Sequence, residues 1–148
     1  MTTIPLLDDF LRTARREFGF LVSEFGFTEQ PDSRAYPNPF SVHYSTPTTL
    51  VTVDGINWGF GIQVMLHAVS PRRGTPPQIP LWALVVHREP VERQVPSGQL
   101  AQLAHYASLL PLYAADVLRG DFAAFPDALR IIEFHAAELD QPKQRKLP

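Results

Sequence analysis

From Thr49 to His67, and again from Leu81 to His87, apolar and polar residues alternate along the chain. Successive side chains of a strand point to opposite faces, so this pattern predicts a sheet with one greasy face and one mixed face. Four strands are expected: Ser41–Ser45, Thr49–Val53, Ile56–His67 and Leu81–His87. Thr46-Pro47 marks the first turn. Asp54-Gly55 marks the second, because glycine tolerates the positive φ of a type I′ hairpin. Short turns of this kind predict an antiparallel meander.

A two-residue turn at Asp54-Gly55 sets Val53 opposite Ile56, Val51 opposite Trp58 and Thr49 opposite Phe60. Ile62, Val64 and Leu66 then share that face, and Trp82, Leu84 and Val86 join it from the fourth strand. The other face presents Leu50, Thr52, Asn57, Gln63, Met65, His67, Leu81, Ala83, Val85 and His87, with the small Gly59 and Gly61. Such a face is either covered by a C-terminal helix, left as a half-polar solvated surface, or used for docking a partner.

Helices flank the strands. Leu7, Phe10, Leu11, Ala14, Phe18, Leu21, Val22 and Phe25 recur at three- and four-residue steps and form one stripe. Asp8 and Asp9 suit the positive end of the helix dipole. Gly26 is a natural left-handed stop, with Phe27 folding back on Val22. Residues 28–40, with Pro31, Pro37 and Pro39, are expected to be a loop. A second proline-rich loop spans 70–80. After Pro96-Ser97, the residues Leu100, Leu103, Ala104, Ala107, Leu110, Ala114 and Leu118 form a helical stripe that Pro111 must kink or break and Gly120 must end. Pro126 opens a last helix containing Leu129, Ile132, Ala136 and Leu139. The tail 141–148 is expected to fray. The whole is a single α+β domain over 1–148.

The 148 residues suffice for a core without staples, and a charged fraction of 19% against 45% hydrophobic fits a globular chain. With no cysteine, disulfides and thiolate chemistry are excluded. No stretch approaches the ~20 apolar residues of a membrane span, and no export leader is evident. A cytoplasmic protein without membrane or nucleic-acid partners is therefore expected.

Chemistry finds little purchase. His67 and His87 share the mixed face at opposite ends of paired strands, roughly 20 Å apart at ~3.3 Å per residue, too far for one ion. His43 approaches either of them only through a different strand order, and His105 and His135 sit on separate helices. Asp54 is assigned to the hairpin turn, Asp121 to a cap, and Glu89 and Glu92 to a solvated loop. The glycines from Gly55 to Gly61 lack the lysine and following helix of a phosphate loop. Gly-x-Ser-x-Gly is absent. No catalytic residue, cofactor or metal is expected.

Three pieces carry a family resemblance: Phe10-Leu11 through Glu24-Phe25-Gly26-Phe27, the strand Ser41-Val42-His43-Tyr44, and Ala115-Asp116-Val117-Leu118-Arg119-Gly120-Asp121-Phe122. Their order resembles the small α+β immunity proteins of bacterial polymorphic and contact-dependent toxin systems. The resemblance implies a non-catalytic domain that neutralises a cognate toxin by occluding its active site. A net charge of −2 departs from the strong acidic excess of immunity proteins against nucleases, and points away from a nuclease target. Expected partner-binding residues are Tyr36, Phe40, Arg72 and Arg73 on the two loops, with Asn57, Gln63, Met65, His67 and His87 on the mixed face. The alternatives are a ligand-binding or enzymatic pocket between sheet and helices, and an export chaperone or adaptor.

Overall fold

A computed structural model describes residues 6–140. The expected tail 141–148 lies outside the described residues. The chain is an α+β protein built on a five-stranded antiparallel sheet: β1 (Thr28–Gln30), β2 (Ser41–Ser45), β3 (Thr49–Ile56), β4 (Gly61–Ala68) and β5 (Gln78–Pro80). The strands follow one another in sequence order across the sheet, as a meander.

The first amphipathic stripe folds into two helices rather than one, α1 (Leu7–Glu17) and α2 (Phe20–Phe25). Phe18 adopts ψ near 6°, and the bonds from Leu21 N to Phe18 O and from Val22 N to Gly19 O tighten the step into 3-10 geometry. Phe10, Ala14, Phe18 and Leu21 are buried across this step, so the stripe stays continuous. Gly26 takes the left-handed conformation expected of the stop, with φ 75°. Phe27 is buried in the core, whereas Val22 faces solvent.

The hairpin between β3 and β4 corrects the expected turn. Asp54 and Gly55 stay inside β3, and the chain reverses through a 3-10 turn at Asn57–Gly59. Gly55 serves close approach instead, since a Cβ there would meet Gln99 Nε2 at 2.6 Å and Phe40 Cβ at 3.1 Å. Val53 therefore pairs with Val64, Val51 with Leu66 and Thr49 with Ala68. The register moves by an even number of residues, and parity decides the face. Thr49, Val51, Val53, Ile62, Val64 and Leu66 accordingly form the buried layer that the alternation predicts. Val42, Tyr44 and Ile79 extend it from the neighbouring strands. Trp58 and Phe60, expected in that layer, lie outside it at the sheet's end.

The segment expected as a fourth long strand is a helix, α3 (Leu81–Arg88). Leu81, Leu84 and Val85 are buried with Ala83, a helical spacing that coexists with the alternation in the same eight residues. Pro80 immediately precedes the helix, and the strand in this position shrinks to Gln78–Pro80. Trp82 consequently leaves the inner layer and packs against the His135 ring at 5.3 Å. Residues 28–30, expected in a loop, form an edge strand on β2.

The remaining helices are α4 (Gln99–Tyr113), α5 (Ala115–Leu118) and α6 (Phe125–Asp140). Pro111 sits in the last turn of α4, which ends two residues later, and Gly120 (φ 92°) follows α5. Pro126 falls in the first turn of α6 as expected. Helices α1, α3 and α4 pack on the apolar sheet face, and α6 packs on α3. Among the described residues, no helix is long and apolar enough to cross a membrane.

Candidate functional site

The sheet face turned away from the helices carries Ser41 and His43 from β2, Leu50, Thr52 and Asp54 from β3, and Gln63, Met65 and His67 from β4. Cross-strand pairing sets Ser41, Asp54 and Gln63 in one row, His43, Thr52 and Met65 in the next, and Leu50 and His67 in a third. The turn at Thr46–Thr48 fixes this order. Thr46 Oγ1 accepts the Thr48 and Thr49 amides, and the Thr46 amide donates to Thr49 O. A cup of about 350 Å³ opens on this face, walled on one side by Ser33 and Arg34 of the loop 31–40.

That loop is tied down at several points. Asn38 Nδ2 donates to Gly55 O at 2.9 Å, Asn38 Oδ1 accepts the Phe40 amide, and Gly55 N donates to Phe40 O. Asp32 accepts the amides of Arg34 and Asn38. So placed, Arg34 spans two carboxylates. Its Nη2 lies 2.6 Å from Asp32 Oδ2 and 2.7 Å from Asp54 Oδ1, while Nε donates to Asp32 Oδ1 at 2.8 Å. Both carboxylates are largely buried. The hydrogen bonds from Arg34, aided by the Asn38 amide, hold the Asp32 carboxyl well below the usual carboxylate range.

Beside this pair lies His43, 5% exposed. Its Nε2 is buried without a hydrogen-bond partner among the described residues, 3.9 Å from Asp32 Oδ2. Burial pushes the imidazole pKa down, against the opposing pull of Asp32. His67 is depressed in the same way, by burial first and then by His43, and its Nε2 lies 3.2 Å from Thr52 Oγ1.

A second feature occupies the end of the sheet at the β3–β4 turn. Asn57 and Trp58 adopt positive φ (53° and 56°), and the turn projects Trp58 into solvent at 91% exposure. Phe60 is half exposed beside it. Tyr36, 94% exposed, rides on the loop 31–40, which Asn38 and Phe40 bond to Gly55 at this same end. From below, two buried glutamines of α4 hold the turn. Gln102 accepts the Ile62 amide through Oε1 at 2.9 Å and donates to Phe60 O and Pro96 O, and Gln99 donates to Gly61 O.

The residues nominated from sequence fall into separate places. Tyr36 and Asn57 lie at the aromatic end, and Gln63, Met65 and His67 line the open-face cup. Phe40 is drawn inward, edge-on to Phe10 at 5.4 Å, so it belongs to the core margin. Arg72 and Arg73 are exposed at the opposite end of the sheet, where Arg72 borders a cleft with Thr48 and Asp121. His87 does not share the face of His67. It lies on α3, 3.7 Å from Asp127 of α6.

Sequence reasoning passes over Asp32 and Arg34, sets His43 aside as a ligand, assigns Asp54 to the hairpin turn and places Trp58 in the inner layer, whereas the structure brings the first four together and exposes Trp58. The signal for His43 and Asp54 is the Thr46-Pro47 turn itself, whose register sets His43 opposite Thr52 and Ser41 opposite Asp54, while Asp32 and Arg34 reach them from a loop that no strand register places. No family model matches the chain, and no curated protein or solved structure is significantly similar to it.

Proposed function

We propose that this chain is a non-catalytic protein-binding domain, and that its partner is a bacterial toxin whose active site it occludes. The observation that carries the reading is Trp58, displayed almost wholly in water on a left-handed turn. A tryptophan gains from burial, and left-handed φ disfavours a bulky L-residue by ~1 kcal/mol, so both terms oppose this placement in the isolated chain. A partner that covers the ring offsets both. Tyr36 and Phe60 supply further aromatic area at the same end, and aromatics of this kind dominate binding energy at protein interfaces.

The space between sheet and helices is filled by Phe10, Phe18, Leu21, Val51, Val53, Leu66, Leu103 and Leu110. That filling favours a surface over a ligand pocket in the interior. The toxin as partner rests on the immunity-protein resemblance in the first helix, in β2 and around Leu118–Phe122.

The test is affinity capture from the native host, followed by co-expression. A stoichiometric partner is expected whose toxicity this chain relieves, and Trp58→Ala is expected to lose capture while keeping its folded spectrum. A partner held through an unfolded or secretion-signal segment would assign the chain to adaptors instead. Recovery of the chain alone would sink the reading.

A further inference from the structure

We infer that Asp32, His43 and Asp54 form a binding site for a divalent transition-metal cation of the zinc class, with Arg34 as its displaceable occupant. The site is distinct from the aromatic end and stands or falls apart from the protein-binding reading. Each of the three residues directs one ligand atom inward, and these atoms lie within 4.8 Å of one another. A tetrahedral ion with ~2.0–2.1 Å bonds needs ligand atoms about 3.3–3.5 Å apart, so the three groups must close by roughly an ångström.

The independent observation is the orphaned His43 Nε2. A buried polar nitrogen without a partner is destabilising, and such groups are rare in folded proteins. Arg34 satisfies both carboxylates and leaves this nitrogen unsatisfied. A metal ion bound between the three would satisfy it, because the lone pair of a neutral imidazole is the ligand. Charge argues the same way. Two carboxylates and one guanidinium leave a net negative charge in a largely buried place, whereas a divalent ion cancels it.

Arg34 can leave. Its side chain is 45% exposed on a loop, and rotation carries the guanidinium into water. The imidazole ligand selects zinc-like ions over magnesium or calcium, which prefer all-oxygen sites. Three protein ligands leave a fourth position for water or for a group from a partner.

The experiment titrates the full chain, stripped with chelator, with Zn²⁺ by calorimetry and with Co²⁺ by visible absorption. Saturable one-to-one binding is expected. His43→Gln should weaken it roughly tenfold or more, with His135→Gln as an unaffected control. Arg34→Met should bind roughly tenfold more tightly or better, because the competing cation is gone. A one-to-one gain in an Arg34→Met protein that keeps its folded spectrum reports the native site, so the inference stays testable if His43→Gln fails to fold. Absence of saturable binding in both wild type and Arg34→Met would overturn the site. One-to-one binding that neither substitution changes would place the ion elsewhere and overturn it equally.

Discussion

Asp54 accepts both terminal nitrogens of Arg34, Nη2 to Oδ1 at 2.7 Å and Nη1 to Oδ2 at 3.2 Å, across a span of twenty positions. This fork seats the loop 31–40 on the sheet. It also explains why Asp54 stays in β3, where pairing with Ser41 holds its carboxylate under the guanidinium.

Removing one partner of that fork leaves charge behind in a largely buried place. Arg34→Met is expected to destabilise by about 1–3 kcal/mol, the half-exposed guanidinium reducing the cost below that of a fully buried pair. Asp54→Asn should be destabilising too, and the double variant should lose clearly less than the two single losses added together. Urea midpoints of the four proteins check this, and strict additivity would show that the fork contributes nothing.

Trp58 is expected to trade stability against binding. Trp58→Asn should raise stability by up to ~1 kcal/mol, because asparagine tolerates left-handed φ better than a bulky ring. The same substitution should abolish partner capture. A destabilised Trp58→Asn protein would show that the ring supports the fold.

Gln102 is the buried side chain on which β4 depends. Gln102→Leu keeps approximate volume but leaves the Ile62 amide and Phe60 carbonyl unpaired. A loss of about 1–3 kcal/mol is expected, with the amides at the start of β4 exchanging faster with solvent. Protection unchanged at Ile62 would contradict the assignment.

Acid should destabilise the chain in two stages. The His43, His67 and His105 pKa values are depressed, each chiefly by burial, so below their ordinary value the unfolded chain binds protons that the native chain refuses. Stability is thus full above about pH 6.5 and declines as pH falls. Asp116 is depressed by its fork with Arg88, at 2.6 and 2.8 Å, and its contribution is present above about pH 4 and lost below. Denaturant midpoints across pH, measured with chelator present, should show both declines. Asp116→Asn should remove part of the lower one, and His105→Gln part of the upper. Midpoints that do not change between pH 7.5 and 5 would refute the histidine assignment.

Much of the core-facing pattern was written locally and could be read from the chain, although Val22, Trp58, Phe60 and Trp82, expected on the core side, are exposed. Period two puts Thr49, Val51, Val53, Ile62, Val64 and Leu66 on one side whatever the turn, provided the register shifts by an even number. Period 3.6 does the same for Phe10, Ala14 and Phe18, and Gly26 stops its helix by its own conformational freedom. What local pattern left open, tertiary contact decided. Leu81–Arg88 satisfies both periods, and burial of Leu81, Leu84 and Val85 among the helices selects the helix. The hairpin moved to Asn57–Gly59 because Gly55 is needed under Gln99 and Asp54 under Arg34. The cluster of Asp32, His43 and Asp54 exists only once two strands and a loop are brought together, since none of its members is within reach of another along the chain.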